Sequence, residues 1–402
     1  MMREADASRG GPAFVQPKGY SRFFAGTLFV GFIATGAATV LLAPMLPLLS
    51  SKWNLSDQSA GTLFSCQFLG SMLGTLLSGY FVRRGGFGKT LLAGYLLMAL
   101  NAVGILFTTW PWLAALLFVN GIGLGLVIPA TNMAVSDSFP GSRASALNLI
   151  NLSWSVGAIA CPAILALATR FGHLQGATSG IAAVLLGLAL LVVRAPKLNQ
   201  SSEKALSSGP LSRISLAILA LLFFLYIGVE GSVAGWLATY AKRTVLPSGV
   251  LWMTAPSFFW AAIMAGRALA PLILRRTEER YVLIGGLIIS GMGVAAVLGG
   301  NSTTSILTGT VISGIGMSSV FPIFIAMISQ YFHELSTQVS PYMFAMAGLG
   351  GAVLPWFVGT VSSETGKLRA GLTIALVGVG LQLILSLILV ARERARNATT
   401  LS

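Results

Sequence analysis

GIGLGLVIPATNMAVSDSF, residues 121–139, recurs as GIGMSSVFPIFIAMISQYF, residues 314–332, in a gapless alignment at an offset of 193 residues. Gly121/Gly314, Gly123/Gly316, Pro129/Pro322, Ser136/Ser329 and Phe139/Phe332 match, and at the same offset Gly157 and Pro162 fall on Gly350 and Pro355. Glycine and proline coincide cheaply among apolar helices, so the argument rests on the register shared by two successive segments, which points to an internal duplication. Between the copies lies the longest polar stretch of the interior, APKLNQSSEKALSSGPLS at 195–212, with the composition of a flexible linker.

The segments that repeat are membrane segments. The chain of 402 residues is 55% hydrophobic and 9% charged, with a mean hydropathy of +0.83, values outside the range of water-soluble domains. Apolar runs of about 20 residues cross a hydrocarbon core of about 30 Å as helices, whereas barrel strands are short and alternating. Such runs lie near 20–49, 57–82, 89–109, 112–135, 143–169, 174–194, 213–241, 249–274, 280–299, 304–331, 337–362 and 370–391. The expected fold is therefore an all-α membrane protein with twelve transmembrane helices in two six-helix pseudo-symmetric halves, 20–194 and 213–391. The tails 1–19 and 392–402 and the linker 195–212 are expected in the cytoplasm. Parallel repeats of this kind are the architecture of transporters that rock two halves about a site between them.

Charge sets the expected orientation. The formal charge of +14 forms no continuous basic stripe of the kind that binds nucleic acid. With both termini inside, 19 of the 25 Lys and Arg residues fall in cytoplasmic segments, and Lys52, Arg170, Lys242, Arg243, Lys367 and Arg369 fall outside. No signal peptide is evident, and Cys66 and Cys161 both lie within apolar runs, so no disulfide framework is expected. Short loops suggest a bacterial inner membrane and a monomer in the lipid bilayer.

Two loops carry a resemblance. DSFPGSRASALN (Asp137 to Asn148) and GYFVRRGGFGK (Gly79 to Lys89) resemble signature loops of the major facilitator superfamily, although Arg83 stands where an Asp is common and Gly88 replaces a basic residue. LNLINLSWSVGAIACP (Leu147 to Pro162) and FLYIGVEGSVAGWLATYA (Phe224 to Ala241) are similar to the branch of fucose-proton symporters and sodium-dependent glucose transporters. The resemblance implies the major facilitator fold, a sugar substrate, and a fifth-span Asn facing it, here Asn148 or Asn151. The fucose-proton symporters carry carboxylates in their first and fourth spans; this sequence has none in either, so proton coupling there does not carry over.

One acid does lie inside a span. Glu230, in LAILALLFFLYIGVEGSVAGWLATY (216–240), is the only one of the 11 acidic residues so placed. A carboxyl group in hydrocarbon costs on the order of 3 kcal/mol unless it finds a partner, a cavity or a proton, which marks it as functional by default. Tyr226, four residues earlier, shares its helical face. Gly228, Gly231 and Gly235 around the pair read either as close-packing positions or as a locally unwound helix offering carbonyls to an ion.

In the fifth span Asn148, Asn151, Ser155, Ala158 and Pro162 fall on one face. Amides offer the donors and acceptors that sugar hydroxyls need, and Trp154 beside them can stack on a pyranose; Asn in a membrane helix also serves as interhelical glue. Gln67 and Trp260, both near mid-depth, are further candidates for the cavity wall. On the cytoplasmic side Arg83, Arg84, Arg143 and Asp137, with Arg267, Arg275, Arg276 and Glu334 in the other half, are expected either to close an inner gate by ion pairs in the outward-open state or to be positive-inside topology charges with no gating role.

Nothing reads as an enzyme: His173 and His333 are isolated, no metal-ligand or nucleophile spacing occurs, and no Walker loop is present. The expected function is a secondary transporter of a hexose-like sugar working by alternating access. Glu230 would be its coupling residue, neutralised by sodium or a proton so that the loaded carrier reorients; no other cofactor is expected. Alternatives are a proton-driven exporter of amphipathic compounds, disfavoured by Cys161 before Pro162 where exporters carry Gly-Pro, an uncoupled sugar facilitator, and a sensor, which would call for an added soluble domain.

Overall fold

The computed structural model of the chain describes residues 22–139, 142–193, 213–245, 249–332 and 335–400. The N-terminal tail and the linker 195–212 lie outside the described residues, as does Glu334 of the expected inner gate. Thirteen α-helices follow one another: α1 (Arg22–Val40), α2 (Leu42–Trp53), α3 (Asp57–Gly104), α4 (Trp112–Ser138), α5 (Arg143–Arg170), α6 (Leu174–Val192), α7 (Arg213–Thr244), α8 (Ala255–Leu274), α9 (Glu279–Gly299), α10 (Thr303–Met317), α11 (Val320–Phe332), α12 (Ser336–Thr365) and α13 (Leu368–Thr400). No strand occurs among the described residues.

Proline explains two of the breaks. Pro44 lacks an N–H, and its ring clashes with the carbonyl four residues back, so α1 ends at Val40 and α2 resumes within the same crossing. Pro322 acts alike on Ser318, and α10 gives way to α11 across Ser318 and Ser319. The first and tenth spans are thus broken helices.

Eleven helices among the described residues are long and apolar enough to cross a membrane, and the longest of them makes two crossings. In a straight helix Gly74 and Gly94 would stand about 30 Å apart at 1.5 Å per residue. Both instead lie against the middle of α4: a side-chain carbon added at Gly74 would strike the Ile122 carbonyl, and one at Gly94 would come 2.9 Å from the Gly123 carbonyl. The chain doubles back at Gly86, whose φ of 76° and ψ of 172° suit a residue without Cβ. Twelve crossings result.

The duplication is visible in the packing. Gly121 of α4 sits against the Gln67 carbonyl of α3, and its repeat partner Gly314 of α10 against the Phe259 carbonyl of α8. Likewise Gly157 of α5 abuts the Ile33 carbonyl of α1, and Gly350 of α12 abuts the Phe224 carbonyl of α7. The same glycines bring together the same pairs of helices in each half. Lipid tails are as apolar as leucine, so membrane helices associate through such close backbone contact more than through hydrophobic burial. The outer surface is correspondingly apolar, with Leu167, Leu190, Met292 and Ile384 exposed. The protein is a multi-pass membrane protein.

The halves, α1–α6 and α7–α13, meet along α3–α12 and α5–α8, with α2 against α7. Leucine at Gly157 or at Gly350 would drive a side chain into a neighbouring backbone. Each substitution is expected to cost roughly 1–3 kcal/mol or more and to lower the unfolding temperature of the purified protein in a dye-based melt, whereas leucine at Gly187, which has open space around it, leaves it unchanged.

Candidate functional site

Tyr226 and Glu230 stand one turn apart on α7. The Tyr226 hydroxyl donates to Glu230 Oε1 at 2.9 Å and also lies 3.2 Å from the Met317 carbonyl, at the break between α10 and α11. The ring is held on both sides, stacked on Phe321 at 5.2 Å and edge-on to Phe324 at 6.2 Å. Tyr226 is buried, while Glu230 keeps partial access deep in the molecule, the pattern of a group lining an internal cleft.

The expectation of an unwound seventh span is corrected. α7 runs unbroken from Arg213 to Thr244. Its glycines serve approach: a carbon at Gly228 would meet the Gly350 carbonyl at 2.8 Å, and one at Gly235 the Phe64 ring at 2.8 Å, so α12 and α3 can close on α7. Its carbonyls stay in the helix and are not released to an ion.

Arg267 is the residue the sequence reading misplaced. Expected at the inner gate, it lies within α8, seven positions after Trp260 and so on the same helical face. There its positive charge acts on both Glu230 and Tyr226. It completes no ion pair among the described residues, and its buried Nε has no hydrogen-bond partner. The cytoplasmic-charge reading hid it, because an arginine near a helix end looks like a topology signal.

Across the cleft stands α5. The Ser257 hydroxyl donates to the Ile159 carbonyl at 2.7 Å, and Trp154 meets Trp260 edge-on at 5.2 Å. The two helices run antiparallel with indices summing to about 415, which sets Asn148 at the depth of Arg267. Gly157 turns one side of α5 to α1, and Ile159 turns another to α8. Asn148 and Asn151 occupy the arc between, and both are exposed. The Asn151 amide donates to the Leu147 carbonyl at 2.7 Å and keeps its oxygen free for other donors.

Gln67 stands apart from this group. It is 7% exposed; its Nε2 donates to the Thr39 carbonyl at 2.9 Å and its oxygen accepts from Asn120 at 3.4 Å. Its amide joins α1, α3 and α4.

The two ends of the molecule differ. Arg83, Arg84, Asp137 and Arg143 are exposed and form no ion pair among the described residues, and Arg84 instead lies over the Tyr80 ring at 4.7 Å. At the opposite end Arg243 grips Asp57 with two hydrogen bonds of 2.7 Å, Ser362 also donates to Asp57, and the Gln58 amide donates to Ser363 at 2.8 Å. Deeper on the same seam the Ser65 hydroxyl donates to the Ala352 carbonyl at 2.6 Å. These contacts all join one half to the other. The halves are latched at the Asp57 end, and among the described residues no ion pair joins them at the end that carries Arg83 and Arg143. Nothing in the sequence coupled Asp57 to Arg243, 186 residues away.

The Major Facilitator Superfamily model matches residues 28–355. The chain belongs to that superfamily. Members are transporters, and the chain is not an enzyme. It is 23% identical over 387 residues to a glucose/mannose transporter of Bacillus subtilis, covering 90% of this chain and 92% of that one. The fold is shared with a D-xylose-proton symporter, at a TM-score of 0.75 and 15% identity over 91% of this chain and 97% of that one. It is also shared with the Escherichia coli fucose:proton symporter, at a TM-score of 0.60 and 18% identity over 91% and 98%.

The latch predicts a measurable opening. In a background of Cys66→Ser and Cys161→Ser, a Ser65→Cys reporter on the seam is expected to react severalfold faster with a thiol reagent when Asp57→Asn is added. An unchanged labelling rate would mean that the pair does not hold the seam.

Proposed function

We propose that this protein is a secondary transporter of a hexose-like sugar that works by alternating access, with a proton as coupling ion at Glu230. The observation that carries the reading is the Tyr226–Glu230 pair of one half, with Arg267 near it and the exposed Asn148 and Asn151 of α5 in the other half at the depth of Arg267, between halves latched at the Asp57 end. The likeness to a glucose/mannose transporter and to two sugar-proton symporters supports the substrate class. With the basic end of the molecule in the cytoplasm, as the distribution of Lys and Arg favours, the cleft opens inward and the Asp57–Arg243 latch closes the outer face of an inner-membrane protein.

A proton suits this site better than sodium. Sodium needs several oxygen ligands; here the carboxylate is flanked by a guanidinium and one hydroxyl, α7 keeps its carbonyls in the helix, and the Met317 carbonyl at the α10–α11 break already lies against the Tyr226 hydroxyl. A proton needs the carboxylate alone. The idea that an empty site is charged and a protonated one neutral also changes. Arg267 already compensates Glu230 in the empty carrier, and proton binding releases the arginine to bind substrate. The asparagine amides and Trp154 then hold sugar hydroxyls and a ring face.

One observation favours export of amphipathic compounds as a second reading: the cluster of Phe223, Phe321, Phe324 and Phe344 beside Tyr226, with Phe344 exposed. Melting curves of the purified protein with sugars and with hydrophobic cations separate the two, since a ligand of the folded state raises the unfolding temperature. In proteoliposomes Glu230→Gln is expected to abolish accumulation driven by a pH gradient and to spare equilibrium exchange. Undiminished uphill uptake by that variant overturns the assignment of Glu230, and uptake that follows sodium instead of pH overturns the choice of ion.

A further inference from the structure

We infer that the substrate is a sugar acid, a hexose skeleton bearing a carboxylate that Arg267 receives. The inference rests on the sugar-carrier reading above and narrows its substrate class.

Arg267 lies on the face of α8 that also bears Trp260, at the depth of Asn148 and near Tyr226 and Glu230. Its Nε is buried and without an acceptor, and no ion pair engages it among the described residues. The nearby carboxylate is bonded to Tyr226 through Oε1. A planar guanidinium with an unpartnered buried donor is the side chain best matched to a carboxylate, which it binds through two parallel hydrogen bonds. A neutral sugar makes no use of its charge.

Charge balance makes the stronger argument. Tyr226 and Arg267 are the titratable groups that act on Glu230. Of the helices packed around α7, α10 and α11 bring no charged residue, and the charges of α2, α12 and α13, such as Lys52, Glu364, Arg369 and Arg392, lie at helix ends. The empty site, with Glu230 ionised and Arg267 charged, is neutral. Adding the anion alone makes it negative, adding the proton alone makes it positive, and adding both restores neutrality. Reorientation carries the site across a low-dielectric barrier that penalises net charge. Only the empty and the doubly loaded forms therefore cross readily, which couples one proton to one anion. The anion also offsets the field of Arg267 on Glu230, so each ligand strengthens the binding of the other. With a neutral sugar the loaded site would carry an uncompensated positive charge. The end opposite the Asp57 latch supports the same polarity: Arg83, Arg84, Arg143, Arg275 and Arg276 are exposed there against Asp137, Glu278 and the half-buried Glu279, a positive excess that favours the approach of anions.

The experiment pairs each hexuronate with its parent hexose: glucuronate with glucose, galacturonate with galactose, mannuronate with mannose. Melting curves of the purified full-length protein are expected to show one hexuronate binding at least about tenfold more tightly than its parent, the scale of a charge-assisted bidentate contact. Arg267→Gln removes that preference, and Arg267→Lys keeps part of it. In proteoliposomes, uptake of the hexuronate follows the pH gradient and is indifferent to a potassium–valinomycin potential. A parent hexose that binds as tightly as its acid in the wild-type protein, or uptake that responds to the potential, overturns the inference and leaves the sugar-carrier reading standing. If neither member of any pair binds, both fail. The wild-type comparison decides even where a variant does not fold.

Discussion

A charge inside a membrane must be compensated by its own neighbours, because hydrocarbon offers nothing else. That constraint organises this molecule from its ends to its centre. At one end Asp57, with a side chain 10% exposed, is satisfied by Arg243 and Ser362 from the other half, so the need to pair a charge also joins the halves. In the centre Glu230 has a hydroxyl on one side and the field of a guanidinium on the other. Elsewhere along the described spans the side chains are mostly apolar or small, and several hydroxyls bond a backbone carbonyl of their own helix, as Thr35 does to Gly31 and Ser232 to Gly228.

The second constraint is that apolar helices gain little by burying apolar surface from lipid. They hold together where glycine lets backbones touch, and the paired contacts of Gly121 with Gly314 and of Gly157 with Gly350 show the duplicated chain solving this problem twice in the same way. Glycine packs the seam between halves as well, where Gly61 lies against the Trp356 backbone and Gly359 against the Asp57 carbonyl, alongside a few polar contacts and the Trp154–Trp260 pair.

Much of this was legible in one dimension. Run length and composition predict helices and their number, and even the forty-eight-residue α3, which looks like one helix, divides where the sequence reading separated two spans. Glu230 and Tyr226 were legible because a lone acid in an apolar run is costly and a residue four places away shares its face. Asn148 and Asn151 were legible as a polar stripe. The partners of Gln67 were not, because depth alone does not say which neighbours an amide meets; they are the Thr39 carbonyl and Asn120. Arg267 was read as a topology charge, and the three glycines of α7 as consistent with unwinding as much as with packing.

The sequence by itself determined that the chain is a duplicated bundle of twelve membrane helices with one buried acid, since length, hydropathy and register are properties of a string. Which residues meet was decided only by tertiary structure. Arg267 comes near Glu230 without pairing with it, Arg243 pairs with Asp57, and Asn148 comes level with Arg267, because helix crossings set by glycine contacts place residues far apart in the chain at the same depth. A helix fixes the face on which a side chain lies, but only its neighbours fix what that face meets.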